Sequence, residues 1–204
     1  MVTRRAALAD VAVVLGCSVA YLVASLAGVR IGWIVPVVAV VLLTYGWFVL
    51  RQRGETWRDY GVRGDNVLPA GKLVGAWTLV AAVAIIGWAT LRETPLWRAE
   101  LVVMLPLYPA WGLIQQFIFQ GLLHRRLIRL LGVRLLPLVA TAAAFGLVHV
   151  DDWRLAALTM VAGLGWSYCY QREPNVWVLG LSHGMLGALA YPLLLGENPL
   201  DRLF

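Results

Sequence analysis

Seven apolar runs, at about 7–29, 31–50, 71–91, 101–122, 136–150, 154–170 and 176–195, set the terms on which this chain can fold. Several approach the ~20 residues that a helix needs to cross a bilayer. The chain is 61% hydrophobic and 14% charged, far from the roughly one half and one quarter of soluble domains. In hydrocarbon every backbone polar group must be satisfied internally, which selects helices over irregular structure. These runs predict an all-α, polytopic integral-membrane bundle of about seven transmembrane helices, forming a single domain over 1–204. The fifth and sixth runs are short, so their ends must be wet, tilted or lined by protein.

Charge sets the expected orientation. Twelve of the seventeen Lys and Arg residues fall in one set of alternate loops, among them Arg4, Arg51, Arg63, Arg125, Arg134 and Arg172. The other five are Arg30, Arg92, Arg98, Arg154 and Arg202. An excess of this kind marks the cytoplasmic side, so the N-terminus is expected inside and the C-terminus outside an inner (cytoplasmic) membrane. The net charge of +6 is then topological, and no nucleic-acid partner is expected. The first run is too long for a cleaved signal peptide and reads as a retained anchor. Cys17 and Cys169 both lie in spans, far apart in sequence, and suggest neither a disulfide framework nor a metal cluster.

Polar residues inside the apolar runs are the functional candidates, because such groups are costly in lipid and face the bundle interior. Gln115, Gln116 and Gln120 lie in the fourth run, His149 ends the fifth, and His183 lies in the seventh. Gln116 and Gln120 stack at i, i+4, with Gln115 about 100° away. The first three runs carry little inside them beyond Ser, Thr and one Lys, so 1–95 reads as packing helices plus a basic linker. The site is expected within 98–195. The fourth helix is predicted to continue past lipid through 122–131, where leucines alternate with His124, Arg125, Arg126 and Arg129, and to stop at Gly132. His124 reads there as an interfacial surface residue. If the hairpin turns at Gly132, Gln115 lies 17 residues before it and His149 17 after, so the two come out level.

Gln115-Gln-Phe-Ile-Phe-Gln-Gly121, Phe145-Gly-Leu-Val-His149 and His183-Gly-Met-Leu-Gly187 together resemble the CAAX-protease and bacteriocin-processing (CPBP) family of intramembrane proteases. Its pattern is Glu-Glu-x-x-x-Arg-Gly, then Phe-x-x-x-His, then His-x-x-x-Asn, on consecutive membrane helices. Gly121, Phe145, His149 and His183 match. Gln115 and Gln116 replace the two glutamates, Gln120 the arginine, and Gly187 the asparagine. The resemblance implies a membrane helical fold and endopeptidase activity on membrane-embedded or lipidated peptides. In the family, the first glutamate and the histidines are taken to activate water, and the asparagine to steady the oxyanion. A glutamine amide cannot take a proton near neutral pH, so the usual base is missing. The exchange of two carboxylates together with their arginine is coherent, since buried charges persist only when paired.

Under the resemblance, the candidate catalytic residues are His149, His183, Gln115, Gln116 and Asp152. Either histidine could activate water, Gln115 and Gln116 would position substrate, and Gln120 would hold Gln116 from one turn away. Asp152 would share the His149 face if that helix continues to i+3; otherwise it merely ends a helix. Gln120, Phe145, Gly187 and Asn175 are the candidate substrate-binding residues, with Asn175 read either as a helix cap or as a stand-in for the missing asparagine. No metal or other cofactor is expected, because two histidines without an interior carboxylate make a poor ligand set. The expected partners are the bilayer and a membrane-embedded or lipidated peptide. The competing reading is a non-catalytic pseudoprotease that binds membrane peptides in an immunity, scaffold or chaperone role.

Overall fold

The computed structural model describes residues 2–198, apart from the Ile31 side chain. Arg202 and the chain end at Phe204, which entered the orientation count, lie outside the described residues. Among the described residues seven main helices follow one another, with a short 3₁₀ helix (Trp57–Tyr60) between the second and third. They are α1 (Arg4–Leu26), α2 (Ile31–Arg53), α3 (Val67–Leu91), α4 (Leu101–Leu131), α5 (Leu135–Leu147), α6 (Trp153–Arg172) and α7 (Val176–Leu195). Five of them, α1–α4 and α7, are long and apolar enough to cross a membrane. Their outward surfaces are apolar, with Trp33 at 73% and Leu91 at 82% exposure. Such side chains suit the lipid-facing surface of a helical membrane bundle, where they would incur no hydrophobic penalty.

The fourth helix runs unbroken to Leu131 and ends where Gly132 takes a φ of 80°, a conformation that disfavours any side chain. Over Phe117–His124 its winding opens into a π-helix, in which the Arg125 amide reaches back to the Gln120 carbonyl. π-Turns of this kind cluster at functional sites. By contrast, α5 stops at Leu147, and Asp152 begins α6 by accepting hydrogen bonds from the Arg154 and Leu155 amides. The helical continuation that would have set Asp152 on the His149 face is therefore absent.

Helices α4 and α7 pack almost backbone to backbone. A Cβ on Gly112 would lie 2.5 Å from the Gly180 carbonyl oxygen, and one on Gly184 would lie 2.4 Å from the Pro109 nitrogen and Cα. Small residues let membrane helices approach this closely and gain dispersion contacts. Gly184→Ala is expected to force the pair apart at a cost of about 1–3 kcal/mol, read as a lowered thermal midpoint in detergent. An unchanged midpoint would show that the contact is slack.

At the Arg-rich end a charge network joins the two halves of the chain. Arg126, which the sequence pattern put at the interface, is 1% exposed. It donates to Asp10 of α1 (Nε, 2.6 Å), to Glu55 beyond α2 (Nη1, 2.9 Å) and to the Tyr60 hydroxyl (2.7 Å). Arg53 also pairs with Asp10, and Arg125 pairs with Glu55 at 2.7 Å while lying over the Tyr60 ring. Asp10 corrects the expectation that the first three spans hold little polarity: an anion sits buried in α1 because Arg126 and Arg53 neutralise it. The linker is anchored as well, through Asn175 Nδ2 to the Arg63 carbonyl (3.0 Å) and the Val176 amide to the Gly61 carbonyl (2.8 Å).

Candidate functional site

One stripe of α4 carries Gln116, Gln120 and His124 on three successive turns, and each reaches a different helix. Gln116 Nε2 donates to His183 Nδ1 on α7 at 3.3 Å. Gln120 Nε2 donates to Ser167 Oγ on α6 at 3.0 Å. His124 Nδ1 meets Thr141 Oγ1 on α5 at 2.6 Å. All three residues are almost fully buried. His124 is thus an interior residue, contrary to the surface placement expected from its arginine neighbours. Thr141 lies directly opposite it, and burying an imidazole is tolerable once its N–H is paired. Gln120 bonds to Ser167, which replaces the expected role of bracing Gln116.

An aromatic cluster holds the other two histidines. The His183 ring stacks on Trp166 with centroids 4.6 Å apart and planes 23° from parallel. Phe145 presents its ring edge-on to His183 and to His149, 5.5 Å from each. The two imidazoles are therefore at most twice that distance, 11 Å, apart. Trp166 is itself fixed by its indole N–H to Ser182 Oγ (3.0 Å), which also meets Thr78 Oγ1 at 2.6 Å. Locked rings of this kind hold a site more rigidly than a loop could.

The hydrogen bonds also assign tautomers. His149 Nδ1 donates to the Phe145 carbonyl at 2.9 Å, so its lone pair is on Nε2. His183 Nδ1 accepts from the Gln116 amide, so its proton is on Nε2. The two rings are chemically opposite: His149 presents a base, His183 a donor.

The remaining candidates separate from this pair. Phe145 is a buried packing residue between the two histidines. Gln115 is nearly buried and makes no hydrogen bond to the described residues; it is Gln116 that bonds a histidine. Asp152 caps α6. Asn175 caps α7 by accepting from the Val178 amide, and it spends its own amide on Arg63 and Asn66, so it is a cap and a linker anchor. At Gly187, where the family pattern has asparagine, a Cβ would lie 2.6 Å from the Tyr108 ring, so that ring fills the space. The sequence reading missed Trp166, Ser167, Thr141 and Ser182. Ser and Thr are common in membrane helices, and nothing in their spacing sets these apart. For Trp166 its place mid-span was a usable signal.

Residues 97–189 match the family model described as type II CAAX prenyl endopeptidase Rce1-like. Over this stretch, a little under half of the chain, the sequence is similar to that family. No curated protein and no solved structure matches the chain. The matched stretch opens just before α4 and closes within α7, so it takes in the α4 stripe, the aromatic cluster and both histidines. It leaves out α1–α3, but Asp10 and Glu55 still hold it through Arg126. Among its described residues no group of three His, Cys, Asp or Glu side chains is placed to hold a metal ion.

Proposed function

We propose that the chain is a CAAX-type intramembrane endopeptidase with an altered active site, acting on membrane-embedded or lipidated peptides. The supporting observation is the pair of histidines with opposite tautomers on either side of Phe145. His149 Nε2 is the general base that takes a proton from water. His183 Nε2–H donates to the oxygen that becomes negative as the tetrahedral intermediate forms, the task that preorganised donors perform in acyl transfer. Gln116 keeps the His183 tautomer in place, and Trp166 keeps its plane. The missing asparagine is accounted for in this scheme, because His183 supplies the donor. The arginine distribution supports an inner-membrane location with the N-terminus cytoplasmic and the C-terminus outside.

A second reading, the peptide-binding pseudoprotease, draws on Gln116 itself: the side chain hydrogen-bonded to His183 is an amide that cannot take a proton. Full-length protein in nanodiscs, incubated with a set of lipidated and transmembrane peptides, distinguishes the two. The endopeptidase reading expects discrete cleavage products by mass spectrometry. Peptide retained with no product after prolonged incubation would favour the binder.

A further inference from the structure

The α4 stripe has a second half. Each of its three residues uses one polar atom, and the other is buried without a partner among the described residues: Gln116 Oε1, Gln120 Oε1 and His124 Nε2. All three are acceptors. For the glutamines these are the amide carbonyl oxygens, since the amide nitrogens are already engaged. For His124 the neighbouring hydroxyl assigns the tautomer. Thr141 gives its single proton to the Pro137 carbonyl at 2.8 Å, so the 2.6 Å contact requires His124 Nδ1 to donate. Its Nε2 therefore carries a bare lone pair.

Buried acceptors left unmade are expensive, and three on consecutive turns of one helix call for a common cause. At helical rise they recur about every 6 Å. Two hydrogen bonds of about 2.8 Å through one water span less than this, so a short chain of waters, each donating onward, is suited to join neighbouring acceptors, and polar interior gaps are where proteins keep water. We propose that α4 carries a file of internal water that runs from Gln116 Oε1 past Gln120 Oε1 to His124 Nε2. Tyr170 extends the file. Its hydroxyl is also buried and unpartnered, and its ring lies 6.0 Å from that of His124. That hydroxyl reaches the linker, 3.3 Å from where a Cβ on Gly61 would be.

The file thus leads from the basic end of the bundle to the amide that holds His183. Its O–H donors complete every acceptor in the row, and the π-helical turn of α4 contains its middle. As a supply route for the water consumed in peptide hydrolysis, its role rests on the endopeptidase reading. The file itself does not, and its test needs no activity.

Radiolytic hydroxyl-radical footprinting of the full-length protein in nanodiscs reports buried water by oxidising the side chains beside it. His124 and Tyr170, though buried, are expected to be labelled, with oxygen drawn from isotopic solvent water. Tyr170→Phe removes one oxygen and keeps the ring. It is expected to weaken labelling at His124 several-fold and to lower the thermal midpoint by about 2 °C. Unlabelled His124 and Tyr170, at doses that oxidise other buried aromatics no further, overturn the file. A midpoint raised by Tyr170→Phe does the same, because deleting an unpaired hydroxyl from a dry site relieves a cost. A midpoint that tracks sodium or potassium concentration would replace water with a bound cation.

Discussion

His149→Ala is expected to lower peptide cleavage by at least about 100-fold in kcat, the scale on which a positioned general base contributes, with the thermal midpoint almost unchanged. The ring lies in the turn after α5, where it donates to the Phe145 carbonyl and meets the Phe145 ring edge-on, outside the contacts that hold the helices together. His183→Ala should abolish cleavage equally but also destabilise. It strips Trp166 of its stacking partner and leaves the Gln116 amide nitrogen buried and unpaired, a cost of about 1–3 kcal/mol. The contrast between these variants separates chemistry from packing. Gln115→Glu should give no gain, since a carboxylate there has neither a histidine partner nor an arginine at position 120 and would be protonated by desolvation. If His149→Ala leaves cleavage intact, the assignment of the base fails. If it leaves a cellular function intact while no cleavage is detectable, the binder reading stands.

Arg126→Met is expected to cost about 3–5 kcal/mol and to leave little folded protein at 37 °C. Removing one member of a buried ion cluster strands the rest. Asp10 would keep Arg53, but Glu55 would lose two hydrogen bonds and half of its charge partners. Adding Asp10→Asn to Arg126→Met should recover part of the loss, because the double variant buries one charge fewer. A fully additive double variant would argue against direct coupling, and the thermal midpoint in detergent reads both. The same cluster predicts a pH response. Burial pushes the Glu55 carboxyl up, but hydrogen bonds from Arg126 and Tyr60 and the Arg125 and Arg126 charges overcome this and hold it at about 2, against an ordinary 4.5. A folded-state pKa depressed in this way contributes stability that is full above about pH 4.5 and is lost as pH falls towards 2. In Arg126→Met that acid sensitivity should shrink.

The apolar run lengths, the helical class, the continuation of α4 to Gly132 and the motif histidines were all legible in the chain, because each depends on local pattern. Hydrocarbon forces helices, glycine ends them, and a histidine in an apolar run stands out by type. What the spacing could not supply was the pairing. Hairpin counting levelled Gln115 with His149, yet a counted register assumes uniform winding, and α4 is π-helical over Phe117–His124 while α5 stops at Leu147. His124 and Arg126 looked interfacial because their neighbours are charged. Their burial depends on Thr141, Asp10 and Glu55, of which Asp10 and Glu55 lie 116 and 71 residues from Arg126. The sequence by itself determined that this is a membrane bundle with amides where a protease family has charges. Only the tertiary structure decided which amide meets which ring, because hydrogen bonds between helices depend on azimuth and depth, which no residue carries alone.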